Sequence, residues 1–105
     1  MGYCYLNGRG AAKDDTKAAV LFQQAADQQH PTGQVGLGQC YMSGLGVDQD
    51  RTKAAVLFQL AADYKYAGGQ YGLGYCYLHG SGVERDETKA AVLFQQAADQ
   101  QDAIR

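Results

Sequence analysis

The chain has 105 residues, and 9 lysines and arginines stand against 11 aspartates and glutamates for a net charge of −2. That balance leaves no basic patch of the kind nucleic-acid binding needs, and no run approaches the ~18 consecutive apolar residues of a membrane span, so neither nucleic acid nor membrane is expected as a partner. The length suits one domain, residues 1–105, able to bury roughly 60–70% of its unfolded surface.

Met1-Gly2-Tyr3-Cys4 does not read as a charged-then-apolar secretion signal, because it already belongs to a repeated pattern. Gly2-Tyr3-Cys4-Tyr5-Leu6 returns as Gly38-Gln39-Cys40-Tyr41-Met42 and again as Gly74-Tyr75-Cys76-Tyr77-Leu78, a recurrence every 36 residues. A fixed period of that size means stacked supersecondary units, none able to bury its apolar face alone. The copies run over 1–37, 38–73 and 74–105, and each reads as helix, glycine loop, helix. The three cysteines, Cys4, Cys40 and Cys76, share one repeat position. Equivalent sites on stacked helices lie about 8–10 Å apart, beyond the roughly 4.4–6.8 Å a disulfide spans. They are expected to be reduced core residues, which favours an intracellular protein.

In chain order, Gly8-Arg9-Gly10 forms the first predicted loop. Asp14 follows where an N-cap belongs, its carboxylate suited to orphan N–H groups and to the helix dipole. Thr16 is the alternative cap. Ala18, Leu21, Phe22, Ala25 and Ala26 then fall at i, i+3, i+4, i+7 and i+8, one apolar helical stripe. Pro31 suits the start of the next helix, predicted over 32–42. Gly33, Gly36 and Gly38 each weaken it by roughly 0.5–1 kcal/mol relative to alanine, so close packing against a neighbour is their expected role. Gly44-Leu45-Gly46 is the second loop, its first glycine fitting a left-handed C-cap and its second the return turn. Asp50 caps the following helix, whose Phe58 matches Phe22. Gly80-Ser81-Gly82, Asp86 and Phe94 repeat the plan, and Val47 and Val83 tuck under their turns.

These residues closely resemble the Sel-1-like repeat (SLR) family, a relative of the tetratricopeptide repeat. The carriers are Leu37-Gly38, Tyr41, Gly44, Gly46-Val47, Asp50, Lys53-Ala54, Phe58 and Ala61-Ala62, matched from Leu73 through Ala98 in the third copy. The resemblance implies an all-α, right-handed superhelical solenoid of antiparallel helix pairs. It also implies a concave groove lined by the first helices, and work as a protein-interaction scaffold. Gly33 and Gly69 stand where the family pattern has alanine, which is expected to loosen those helices. Secreted members with two cysteines per repeat are not matched.

The copies differ along one helical face. Thr32, Gly36, Gln39 and Ser43 share it in the second copy; Gly68, Gly72, Tyr75 and His79 are their counterparts in the third, and Tyr3 and Asn7 in the first. Tyr3, Asn7, Thr32, Gln39, Ser43, Tyr71, Tyr75 and His79 are therefore the candidate partner-binding residues, with the tyrosines as anchors. A drifting solvated face is the alternative. His30 and His79 lack ligands at metal spacing, the aspartates read as caps rather than catalytic pairs, and neither cofactor nor catalysis is expected. Met1 stands where Leu37 and Leu73 stand, and Asp102-Ala103-Ile104-Arg105 lies where another first helix would begin. A fragment of a longer array, or end-to-end self-association, is expected on that account. The reading is a non-catalytic adaptor for a peptide or protein, with a structural spacer as its rival.

Overall fold

The computed structural model describes the backbone over residues 8–104 and side chains over residues 14–100. Cys4 and the candidates Tyr3 and Asn7 lie outside them. Five helices follow one another: α1 (Gly8–Asp27), α2 (Pro31–Ser43), α3 (Arg51–Asp63), α4 (Ala67–His79) and α5 (Glu87–Ile104), with no strand among the described residues. Each helix packs antiparallel on the next, and the stack measures 40 × 32 × 28 Å. The protein is an all-α helical-repeat solenoid.

Local chemistry sets the boundaries in the second and third copies. Gly44 and Gly80 end α2 and α4 in the left-handed region, at φ 72° and 65°, and donate their N–H groups to the carbonyls of Cys40 and Cys76. Asp50 and Asp86 then accept from the backbone N–H of Lys53 and Lys89 at 3.1 and 3.0 Å, so the aspartates, not the threonines, are the N-caps.

The first copy departs from that plan. Gly8-Arg9-Gly10 is helical and Asp14 lies inside α1, where it caps no helix start. The later copies seat their loops on a neighbouring helix. Gly46 presses on the backbone of Asp15 and Thr16, and Gly82 on that of Arg51 and Thr52, so each loop rests on the second helix of the preceding copy. Ala11-Ala12-Lys13, strong helix formers where later copies have Val47-Asp48-Gln49, let the helix run on.

The helix-borne glycines are contact points. A Cβ on Gly36 or Gly72 would come within 2.5 Å of the Phe22 or Phe58 ring, and one on Gly38 or Gly74 within 2.8 or 2.9 Å of Phe58 or Phe94. Phe58, only 3% exposed, is thus held between the bare backbones of α2 and α4. Gly33 and Gly69 likewise abut Ala25 and Ala61, so they tighten the packing of their helices where looseness was expected. Around Phe58 the core gathers Ala54, Ala55, Leu73 and Cys76.

Side chains also stitch one copy to the next. The Tyr64 hydroxyl donates to Gln29 Oε1 at 3.3 Å, and at the equivalent place Gln100 Nε2 donates to the Lys65 carbonyl and to Gln70 Oε1. Curvature follows from which helices touch. Among the described residues the backbones of α2 and α4 approach closely, whereas those of α1 and α3, like those of α3 and α5, stand apart. The first helices therefore make a close inner layer and the second helices a spread outer one.

Candidate functional site

Between α2 and α4 the inner layer holds an open cavity of about 440 Å³. It exists because Gly68 and Gly72 carry no side chains on the α4 wall, leaving the Phe58 ring of α3 as the floor. Val35, Gln39, Met42 and Ser43 rise from α2; Tyr71 and Tyr75 rise from α4. Tyr71 is fixed by a tilted contact with Phe94, ring centroids 6.0 Å apart, and Tyr75 by one with His79 at 4.4 Å. No charged side chain lines this compartment, and Tyr75 is half exposed above it.

A second cavity of about 380 Å³ adjoins the first and shares Met42, Ser43 and Tyr75 with it. Its chemistry is polar: Gln49, Arg51, His79 and Ser81 join the lining. Ser81 is nearly buried and donates its hydroxyl to the Met42 sulfur at 3.3 Å. Gln49 Nε2 donates to the Met42 carbonyl at 2.9 Å, which pins the rim. Among the described residues Arg51 has no ion-pair partner, and the salt bridge found there joins Arg85 to Glu87. An apolar well thus leads into a recess carrying one permanent cation.

Of the sequence candidates, Gln39, Ser43, Tyr71 and Tyr75 line the apolar well together, and His79 stands in the recess beside Ser43 and Tyr75. Thr32 does not join them. It contacts the next copy instead, its hydroxyl 3.5 Å from that of Tyr66. Sequence reasoning passed over Val35 although it occupies the repeat position of Tyr71. Met42, on the same α2 wall, was likewise passed over, while Phe58 and Arg51 of α3 and Gln49 and Ser81 of the loops reach the site from outside α2 and α4, where spacing along those two helices gives no signal.

The described cysteines sit in the layer beneath. Cys40 and Cys76 are buried free thiols. Burial, with a smaller effect of Asp15, raises the Cys40 pKa, and burial pushes Cys76 from 9.0 up to about 11. Both are held as neutral thiols, poor nucleophiles. Among the described residues no three His, Cys, Asp or Glu side chains gather as a metal cluster, and no helix is long and apolar enough to cross a membrane.

Two layers of paired helices with an open inner groove define a helical-repeat solenoid of the tetratricopeptide-like kind. The sequence model of the Sel1 repeat matches residues 1–30, 31–63 and 67–102, and the chain belongs to the Sel1 repeat family. Among solved structures it is similar to c5321, a protective antigen present in uropathogenic Escherichia coli strains that displays an SLR fold. They are 34% identical over 81% of this chain and 18% of that one, with a TM-score of 0.77. It is also similar to a Sel1 repeat protein from Oxalobacter formigenes, at 33% identity over 78% of this chain and 63% of that one, TM-score 0.75. The chain therefore spans less than two thirds of either relative. Among curated protein sequences none matches. Sel1 repeat proteins are generally non-catalytic protein-interaction scaffolds.

Proposed function

We propose that this chain is a non-catalytic adaptor holding a segment of a partner protein in its inner groove. The observation that carries this reading is the pair of adjoining compartments between α2 and α4, an uncharged well floored by Phe58 and a recess bearing Arg51. Together they suit an extended segment with an aliphatic or aromatic side chain for the well and a carboxylate or carbonyl group for Arg51 and His79. Tyr75 stands at the junction, half exposed and already fixed against His79, so little conformational entropy is lost when it is covered.

The test is selection of peptides from a displayed library on the full chain, followed by titration against Tyr75→Ala and Arg51→Ala. The expected peptides pair an apolar residue with an acidic one. Tyr75→Ala should weaken them by about 2 kcal/mol, roughly thirtyfold, without moving the melting temperature. Peptides that bind both variants as tightly as the wild type would place recognition elsewhere. A chain that selects nothing and only associates with itself would favour the spacer reading.

A further inference from the structure

The outer layer carries a second kind of site, and it occurs twice. Because the backbones of α1 and α3 stand apart, a cleft of about 290 Å³ opens between them, with Leu37 and Tyr41 of α2 at its base and Val56 and Leu57 on one wall. Its one charged lining residue is Lys53, whose ammonium lies 5.3 Å from the centroid of the Tyr41 ring. A cleft of about 360 Å³ between α3 and α5 repeats the arrangement with Leu73, Tyr77, Val92 and Leu93. There Lys89 lies 5.2 Å from the Tyr77 centroid. Val56 and Val92 are more than half exposed, so the walls are apolar and open to solvent.

Charge decides what fits. No carboxylate lines either cleft, and neither lysine has an ion-pair partner among the described residues. The neighbouring Asp50 and Asp86 are engaged in capping α3 and α5 through backbone N–H groups. Each ammonium is held over an aromatic face, which orders it and leaves it able to accept an anion. Helix α3 has 13 residues, giving a cleft wall of about 20 Å at 1.5 Å per residue. An amphipathic helix recognises a groove of that form through apolar side chains spaced three and four apart.

We infer that the two outer clefts are equivalent docking sites for acidic amphipathic helices. Each takes leucine-sized side chains between the second helices, with a glutamate or aspartate on Lys53 or Lys89. The occupant differs from that of the inner groove, and so does the face.

The probe is a synthetic helix of about four turns, leucines at i, i+3, i+4 and i+7 and glutamates on the flanks, titrated into the full chain by fluorescence anisotropy. A twin peptide carries glutamine for every glutamate. Two peptides should bind per chain, and the glutamine twin should bind roughly fivefold more weakly. Lys53→Glu with Lys89→Glu should weaken the acidic peptide by at least about fivefold while circular dichroism and melting stay unchanged. Val92→Glu should leave a single site, at the α1–α3 cleft. Tyr75→Ala, in the inner groove, should change nothing. Equal binding of the two peptides, unchanged binding to the double reversal, no binding at all, or loss on Tyr75→Ala would each overturn the inference. So would self-association of the free chain that the double reversal abolishes, since the occupant would then be a second copy.

Discussion

The two faces of this solenoid are made from one repeat, yet they relate to it in opposite ways. On the inner face Val35 answers to Tyr71, Gln39 to Tyr75 and Ser43 to His79, so equivalent positions carry different chemistry. On the outer face Tyr41, Lys53, Val56 and Leu57 answer to Tyr77, Lys89, Val92 and Leu93 with each residue type preserved in kind and place. Between them lies a layer in which phenylalanine meets glycine, and a side chain added at Gly36, Gly38, Gly72 or Gly74 would clash with a ring. That the groove side chains differ while the residues beneath them repeat shows that packing restrains the inner side chains very little, whatever it demands of the backbone beneath them.

The comparison breaks most completely at that middle layer. Phe58→Ala should cost about 3–5 kcal/mol in denaturant unfolding, because the ring fills the space between Gly38 and Gly72. Val56→Ala, two residues away on the exposed outer wall, should stay within about 0.5 kcal/mol. Equal losses would mean that the outer layer is part of the core. The same layer sets a pH limit. Cys76 stays protonated in the folded chain up to about 11, above its ordinary 9.0. Its contribution to stability is therefore complete below pH 9 and falls away as pH rises from 9 towards 11. Cys76→Ala should flatten that alkaline decline in melting temperature.

Capping tests whether the copies are equivalent along their length. Asp50→Ala and Asp86→Ala should each cost about 1 kcal/mol, whereas Asp14→Ala, inside α1, should cost nothing measurable. A loss at Asp14 matching the others would restore the glycine loop to the first copy. A further asymmetry lies in the buried amides. Gln70 Oε1 accepts from Gln100 at 2.8 Å, but the equivalent Gln34 Oε1 finds no partner among the described residues, because Tyr64 stands where a glutamine would reach it. Tyr64→Gln should supply that donor and raise stability by up to about 1 kcal/mol. Tyr75→Ala, on the inner face, should also stay within about 0.5 kcal/mol. A larger loss would make Tyr75 a packing residue and not a free surface of the groove.

Much of this was legible in the sequence because repeat proteins write their contacts locally. Phe22, Phe58 and Phe94 recur in step, Gly44 and Gly80 mark left-handed ends, and Asp50 and Asp86 sit one residue before their helices. Helical spacing alone also brought Gln39 and Ser43 to one wall and Tyr71 and Tyr75 to the other. It misplaced Thr32, whose partner Tyr66 comes from the next turn. It also could not see Arg51, which enters the recess from the start of α3. Spacing within one helix says nothing about what another helix contributes.

From the residues alone came the architecture, its period, its capping chemistry and the face on which the copies disagree. All of these depend on contacts within a few residues or at a fixed stride. Only the tertiary structure decided that Gly33 and Gly69 tighten their helices, that the first loop is helix, and that the second helices stand apart while the first helices touch. Those outcomes depend on whether a neighbouring backbone is present at van der Waals distance. Such a contact is set by the stacking of whole helix pairs, and no single copy encodes it.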